Sequence, residues 1–536
     1  MATRSRLGNI VNPPKTSIPP SQPLDTRMVK NSAGGFVYQA GEWDRLLRFL
    51  ILGTYGGTYY INENKLTKQN YDVLLNCLAE NGQRVVDLIV EVSDAGRAQK
   101  NDFAIFALAV AASKGDDATR SAALAVLSKV CRTGTHLFQF LEDIQGFRGW
   151  GRGLRTAVRR WYNDRRYEAL ADQVVKYRSR NGWTHADALR KAHPKAKEGQ
   201  RDALYKWIVD GEWKGELEKP KIVVGYELAK NVTAPAEAVK LIQEYGLMRE
   251  ALPTEISTHK DVWKALLADM KPIALIRNLG NLSKAGVLDT FSPQVAEVTG
   301  KLTDKAALKA NRVHPMTLLV ASKQYGAGKG HLGSNTWNVN AKVLDALQDA
   351  FELSFDAVVP TGMRILQGVD VSGSMGAAAG GNVNMTCTEA CSAMALITGA
   401  TEPNCHTIAF DTSVYDDIKL TKRTSLAEAQ KQFRHRGGTD LAQPVIFALS
   451  KKMKVDAFII YTDNETWAGR SHLKAQYDLY KKDVNPNVKL VVASTQANMY
   501  SVGDPADPSV LQCVGFDANL PQVISAFISG TLIEGK

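Results

Sequence analysis

Apolar residues recur at three- and four-residue spacing along roughly the first 350 residues of the chain. The segments EWDRLLRFLILGTYG, YDVLLNCLAENG and NDFAIFALAVAASKG, which begin at residues 42, 71 and 101, keep this spacing and end in glycine-containing breaks. This period is typical of amphipathic helices that bury one face. Because the breaks are short, neighbouring helices are expected to be antiparallel. The pattern predicts an all-α region, either a solenoid of HEAT-like helical pairs or a compact all-α domain.

From about residue 362 the pattern changes, because short β-rich runs alternate with helical ones. MRILQGVD, CHTIAFDTS, DAFIIYTDN and VKLVVASTQ are strand-like, and TEACSAMALITG, LAQPVIFALSKK and LKAQYDLYKK lie between them. Such alternation predicts a doubly wound α/β domain with a parallel sheet. A chain of 536 residues also exceeds one ordinary core. We therefore expect a multidomain protein, with an all-α helical-repeat part at 1–362 and an α/β domain at 363–536.

The net charge of +11 is confined to the predicted helical part. Residues 363–536 carry a net charge of −1, and residues 145–201 alone contain 15 Lys and Arg against 5 Asp and Glu. So strong a local excess of one sign favours a polyanionic partner.

Cysteine spacing and targeting signals narrow the class of protein. The six cysteines are scattered without a CxxC pair, which favours reduced thiols over a disulfide framework or a zinc finger. The start of the chain lacks the apolar core of a secretory signal, and the apolar run AIFALAVAA is far too short to span a bilayer. The expectation is a cytoplasmic protein without a membrane partner.

The sequence QGVDVSGSM places Asp370 at the end of a predicted strand, with Ser372 and Ser374 in the turn that follows. Neither serine has the flanking glycines of a nucleophile elbow, and SKQYGAGKG at 322–330 does not have the spacing of a P-loop. Further oxygens come from Thr439 in RGGTD and from Asp463 after a later strand. Two carboxylates and three hydroxyls suit a hard divalent cation, most naturally Mg²⁺.

The motif DVSGSM, a threonine after a glycine pair and an aspartate ending a later strand together resemble the metal-ion-dependent adhesion site of von Willebrand factor A domains. The resemblance implies five cation ligands, direct or through water: Asp370, Ser372, Ser374, Thr439 and Asp463. One departure is that Asn464 and Glu465 follow the last aspartate, where glycine is common, so that Glu465 either perturbs or completes the shell. A partner's carboxylate at an open position and a resident ion without such a partner both remain compatible with the motif.

The basic segment at 151–195 places cations in helical register. Arg152, Arg155, Arg159, Tyr162 and Arg166 are predicted to form one face, with Leu154, Val158 and Trp161 on the other. Clustered arginines neutralise phosphates, and interleaved aromatic rings stack on unpaired bases, so nucleic acid is the expected ligand. A solvated helix and an acidic protein partner are the alternatives.

The helical half with this segment, followed by HPMTLLVASKQYGAGKG, resembles the Ro ribonucleoprotein family of TROVE-module proteins and their bacterial relatives. The resemblance implies a closed ring of HEAT-like helices beside a von Willebrand factor A domain. It further implies binding of small non-coding Y-like RNA outside the ring and of single-stranded 3′ ends of misfolded or immature RNA in the hole. By the same resemblance, RNA contacts fall on Lys176, Arg180 and His193 in KYRSRNGWTHADALRKAH.

The function expected from these features is RNA binding in RNA quality control or processing, without catalysis by the chain itself. An exoribonuclease and a protein carboxylate at the metal site are candidate partners. The alternatives are a metal-dependent nuclease and a protein-adhesion module that uses the metal site. Nucleases commonly hold two metals about 4 Å apart next to the bound strand, whereas these carboxylates lie in the half without the basic segment.

Overall fold

A computed structural model describes residues 17–196, 198–214, 216–330, 335–355, 359–379, 382–517 and 520–531. Eighteen α-helices occupy the described part of 42–353. They are α1 Glu42–Leu52, α2 Glu63–Ala95, α3 Asp102–Lys114, α4 Asp117–Ala125, α5 Leu127–Val130, α6 Gly134–Gln145, α7 Arg152–Asn163, α8 Tyr167–Lys176, α9 His185–Ala192, α10 Gly199–Asp210, α11 Lys221–Ala229, α12 Pro235–Tyr245, α13 Lys260–Ala268, α14 Pro272–Lys284, α15 Gln294–Leu302, α16 Lys305–Ala310, α17 Pro315–Gly326 and α18 Ala341–Leu353. This confirms the helix-rich character predicted for the first part of the chain.

The long helix α2 contains the break that the sequence pattern indicated. Asn81 has φ −156° and ψ 89°, which is not helical, and its side chain accepts a hydrogen bond from the Arg84 N–H at 3.0 Å. Asn81 thus caps the second half as a helix of its own. That half ends at Gly96, whose φ of 66° is the left-handed conformation that glycine adopts without strain.

The helical region closes on itself. Helices pack on their neighbours in sequence, for example α2 on α3 and α12 on α13, and on helices further along the chain, for example α3 on α6. The stretch before α17 then returns to the end of α2. Arg312 donates to the Asp94 carboxylate at 2.7 Å, and the Nε2 atom of His314 lies 3.1 Å from the Arg97 carbonyl oxygen. The two ends of the helical array therefore meet, as the resemblance implied.

The C-terminal domain is built on a six-stranded sheet of order β13-β11-β10-β5-β8-β9, in which only the edge strand β9 is antiparallel. Its strands are β5 Ile365–Asp370, β8 Cys405–Phe410, β9 Val414–Tyr415, β10 Ala457–Thr462, β11 Lys489–Ser494 and β13 Val510–Val514. The helices are α19 Cys387–Thr401, α20 Leu426–Gln432, α21 Gln443–Ser450, α22 Leu473–Asp483 and α23 Leu520–Ile528, and a small ribbon pairs β6 Ala378–Ala379 with β7 Asn382–Thr386. The predicted parallel α/β domain is confirmed.

Alternation along the central strands divides the core between two faces of the sheet. Leu366, Phe458 and Ile460 point to the face covered by α21 and α22, and Ile459 and Tyr461 point to the opposite face. That opposite face shares one continuous apolar core with α19 and with the helical region. The α/β domain is therefore packed against the helices by one face of its sheet.

The first described residues belong structurally to the α/β domain, although they lie inside the predicted helical part. Two strands, β1 Met28–Lys30 and β2 Phe36–Gln39, form a hairpin, and β2 pairs with β12 Tyr500–Ser501. Local sequence patterns do not reveal this pairing, because the partner strands are separated by more than 450 residues. No helix within the described ranges is both long and apolar enough to cross a bilayer.

Candidate functional site

The predicted cation ligands meet where the strand order of the sheet reverses. The connection from β5 leads to β8 on one side, whereas the connection from β10 leads to β11 on the other. Asp370 is the last residue of β5, and Asp463 directly follows β10. A crevice at the carboxyl ends of two such strands is the usual ligand site of a doubly wound sheet.

Hydrogen bonds hold the serine turn and the threonine loop around Asp370. One Asp370 oxygen accepts from the Ser372 N–H, and the other accepts from the Thr462 hydroxyl, both at 2.9 Å. The Ser372 and Ser374 hydroxyl oxygens lie 3.3 Å apart. The loop before Thr439 is tied to the same turn, because the Gly373 N–H donates to the Gly437 carbonyl at 3.2 Å. The structure thus joins the serine turn to Asp370 and to the loop that precedes Thr439, and all five predicted ligands are at most 3% exposed.

The electrostatics of this cluster favour a bound cation. Burial, reinforced by the charge of Asp463, raises the pKa of Asp370, and burial also raises the pKa of Asp463. In the described part of the chain neither carboxylate has a Lys or Arg partner, and Asp463 Oδ2 is buried without a hydrogen bond. Removing such charges from water is costly unless a counter-charge is present. The described residues include no group of three or more His, Cys, Asp or Glu side chains arranged for a metal, so an ion here relies on the hydroxyls and water.

Glu465 is a third buried carboxylate next to this cluster. It is 0% exposed, and burial, followed by the charge of Asp463, raises its pKa to about 8. One of its oxygens accepts from the Ala33 N–H at 3.2 Å, while Oε1 is buried without a hydrogen bond. The departure noted in the sequence therefore lies beside the candidate cation site.

The basic segment forms a helix with exposed cations above an apolar side. Leu154, Val158 and Trp161 of α7 are completely buried, as predicted. Arg152 and Arg155 are exposed, and no hydrogen bond or ion pair joins their side chains to another described residue. The same is true of Arg160, which the sequence-based face did not include. Arg166 is also exposed, and its guanidinium lies 4.0 Å from the Glu168 carboxylate.

Tyr162 does not lie on the exposed face, so that part of the prediction is wrong. Its side chain is fully buried, and its hydroxyl lies 2.7 Å from Nδ1 of His185 on α9. Helix α9 packs against α7 and covers this position. Arg159 is half-buried for the same reason, since its Nε–H donates to the Ala192 carbonyl at the end of α9 at 2.6 Å.

Some cations of the charged region at 145–201 stabilise the fold instead of facing solvent. Arg165 stacks on Trp161 at 3.5 Å and donates to the carbonyls of Trp161, Cys131 and Arg132. Arg201 is buried and donates to the carbonyls of Tyr162 and Arg165. Counting arginines therefore overstates the charge available to a ligand.

The three residues suggested by the family resemblance lie around α9. Lys176 ends α8 with its Nζ 5.4 Å from the Tyr177 ring centre. Arg180 is exposed in the hairpin of β3 Ser179–Arg180 and β4 Trp183–Thr184, directly before α9. His193 is exposed directly after α9, next to the carbonyl that Arg159 binds. His193 thus adjoins the basic side of α7, whereas Arg180 lies at the other end of α9.

Comparison with known proteins gives matches over nearly the whole chain. Residues 29–218 and 240–326 match the TROVE domain, and residues 364–528 match the Ro60 vWA domain. A Deinococcus radiodurans protein named RNA-binding protein RO60 is 39% identical over 519 residues, covering 96% of this chain and 97% of that protein. A Caenorhabditis elegans protein of the same name is 31% identical over 585 residues, covering 94% and 90%. The crystal structure of the Deinococcus radiodurans RO (RSR) protein is similar with a TM-score of 0.71 at 38% identity, covering 92% of this chain and 100% of that one.

Proposed function

The chain belongs to the Ro family of TROVE-domain proteins with a C-terminal von Willebrand factor A domain, and on this premise we propose that it is an RNA-binding ribonucleoprotein component. It binds a small non-coding Y-like RNA and the single-stranded 3′ ends of misfolded or immature RNA. It thereby acts in RNA quality control or processing in the cytoplasm, delivering RNA to an exoribonuclease rather than cleaving it.

The observation that carries this proposal is the set of unpaired exposed arginines on α7. The side chains of Arg152, Arg155 and Arg160 form no ion pair or hydrogen bond with another described residue, in contrast to the paired lysines elsewhere on the helices. Cations without local partners are available to phosphates, and their binding releases counterions from the RNA. Arg166, Lys176, Arg180 and His193 extend the same contact surface along α8, the hairpin and the end of α9.

A ring of single-layer helical pairs also supports a division between structured and unpaired RNA. An RNA duplex is about 20 Å wide and belongs on the outer basic face, and we propose that only a single strand enters the hole that the family resemblance implies. Hairpins with a single-stranded 3′ extension should accordingly bind more tightly than blunt hairpins at moderate salt.

The cluster around Asp370 and Asp463 is proposed to hold one divalent cation, Mg²⁺ by its preference for oxygen ligands. Such an ion would neutralise the two buried carboxylates, with the hydroxyls of Ser372, Ser374 and Thr439 contributing directly or through water. The five ligand residues and the ion would together hold the loops at the carboxyl ends of β5 and β10 in place.

Charge reversal on α7 tests the RNA-binding proposal. A variant with Arg152→Glu, Arg155→Glu and Arg160→Glu should lose most of its affinity for a Y-like RNA in filter binding. The matched control reverses Lys206, Lys214 and Lys230, which already pair with Asp202, Asp210 and Glu227. If both variants lose RNA affinity equally, the loss reflects the change in net charge, and α7 is not a specific RNA-binding face.

The non-catalytic assignment has its own test. Purified protein incubated with Mg²⁺ and RNA should leave the RNA intact. Reproducible shortening that disappears in Asp463→Ala would assign nuclease activity to the cation site instead.

A further inference from the structure

Residues 31–35 lie against the loop that directly follows the cation ligand Asp463. Asn31 donates from its side chain to the Thr466 carbonyl at 2.7 Å, and Ala33 donates to Glu465 at 3.2 Å. The Ser32 hydroxyl lies 3.0 Å from the Tyr500 hydroxyl. Residues 31–35, which we call the N-terminal clasp, thus bind the loop that directly follows Asp463.

Close approach shows how tightly the clasp is seated. A Cβ atom on Gly35 would come within 1.9 Å of the Thr466 carbonyl oxygen, so this position admits glycine alone in the present arrangement. The loop that follows Asp463 is consequently covered by a segment from the other end of the chain.

Glu465 joins the clasp to the cation ligands. Three carboxylates, those of Asp370, Asp463 and Glu465, are 0% exposed, and none has a Lys or Arg partner in the described chain. One oxygen of Asp463 and one of Glu465 are buried without a hydrogen bond. Buried carboxylate oxygens without a hydrogen bond are stabilised by a hard cation or by a water molecule that the cation holds.

We propose that Glu465 is the carboxylate with which the chain itself completes the cation site, through a bridging water. The cation thereby fastens the N-terminal clasp to the α/β domain. This inference rests on the proposed cation site, and it assigns to Glu465 the position that a partner's acidic side chain would otherwise take. Because binding effects are reciprocal, seating the clasp must in turn raise the affinity for the ion.

Titration of the full-length protein with MgCl₂ tests the assignment. Glu465→Gln, which keeps the size of the side chain and an acceptor for Ala33, should weaken Mg²⁺ affinity by about 10- to 100-fold in calorimetry. Asp478→Asn is the matched control, because it removes one exposed carboxylate on α22 of the same domain and should leave the affinity unchanged. Wild-type affinity in Glu465→Gln would overturn the inference.

Hydrogen exchange provides a readout that does not depend on calorimetry. Mg²⁺ should slow amide exchange across residues 28–39 in the wild type and not in Glu465→Gln. Gly35→Ala, which leaves every proposed ligand in place, should lower Mg²⁺ affinity by displacing the clasp. Equal exchange with and without Mg²⁺ in the wild type would show that ion and clasp are uncoupled.

Two further variants separate this inference from the proposals on which it rests. Asp463→Asn should abolish Mg²⁺ binding. If Asp463→Asn still binds Mg²⁺, the cation site itself is wrong. If Asp463→Asn loses Mg²⁺ binding but Glu465→Gln binds Mg²⁺ as the wild type does, only the role of Glu465 is wrong.

Acetate, standing for a partner's carboxylate, should bind Mg²⁺-loaded Glu465→Ala and not the Mg²⁺-loaded wild type. Acetate binding to the wild type would show an open position for a partner and overturn the self-completed site.

Discussion

At the scale of single residues, Arg155 and Arg165 have the same side chain and different environments. Arg155 is exposed without a partner, whereas Arg165 stacks on Trp161 and binds three carbonyls. Arg155→Ala should lower RNA affinity and reduce the salt slope by about one unit while changing stability by less than about 0.5 kcal/mol. Arg165→Ala should instead cost about 2 kcal/mol or more of unfolding free energy, because carbonyls lose their donors. Urea unfolding and salt-dependent RNA binding measure both, and reversed results would contradict the assignment.

Histidine at position 185 makes the α7–α9 contact sensitive to acid. Burial lowers the pKa of His185 to about 3, so between pH 6.5 and 3 the unfolded chain binds a proton that the folded chain does not. Its contribution to stability is therefore lost as pH falls below 6.5, with a slope of up to about 1.4 kcal/mol per pH unit. In His185→Gln the unfolding free energy measured from pH 6.5 to 4 should fall less steeply. His136, whose pKa burial lowers to about 4, leaves a residual slope of the same sign, and an unchanged total slope would exclude His185 as a source.

At the scale of elements, the β3–β4 hairpin places Arg180 through its two-residue turn. Asn181 and Gly182 have φ of 52° and 73°, the positive values that a type I′ turn requires. Gly182→Ala should cost the hairpin about 1 kcal/mol and lower RNA affinity to about the level of Arg180→Ala. Gly211→Ala introduces the same strain at a φ of 82°, in equally open space after α10, and should leave RNA binding unchanged. RNA-binding assays with the three variants decide whether a loss of affinity comes from the geometry of this turn or from backbone strain at any glycine with positive φ.

At the scale of the whole molecule, the seam between Asp94–Arg97 and Arg312–His314 keeps the ring closed. The Arg312–Asp94 pair is 42% and 48% exposed, so Arg312→Ala should cost less than about 1 kcal/mol. His314 is buried against the Arg97 carbonyl, and His314→Ala should therefore open the seam more than Arg312→Ala does. Faster hydrogen exchange in 92–97 and 312–318, confined to His314→Ala, would confirm this order. If Arg312→Ala accelerates exchange more than His314→Ala does, the exposed Arg312–Asp94 ion pair is the main stabilising contact of the seam.

Periodicity and local spacing were sufficient for the features that depend on neighbours in sequence. The helical repeats, the break at Asn81–Gly82 and the α/β alternation could all be predicted, because apolar period and turn residues act over a few positions. The gathering of the cation ligands Asp370 and Asp463 was also predictable, since parallel strands present their carboxyl ends at one edge. The family assignment that these motifs supported is confirmed.

Tertiary structure decided which of these residues are free to bind a ligand. Tyr162 and Arg159 have helical spacing suited to an exposed face, but α9 crosses that face and buries or engages them. Arg160, which was not part of the predicted face, is exposed. Likewise, Glu465 could be recognised from sequence only as a departure, because its partner Ala33 lies 432 residues away. Local physics fixes the period of an element, whereas exposure and long-range hydrogen bonds depend on which distant segment packs against it.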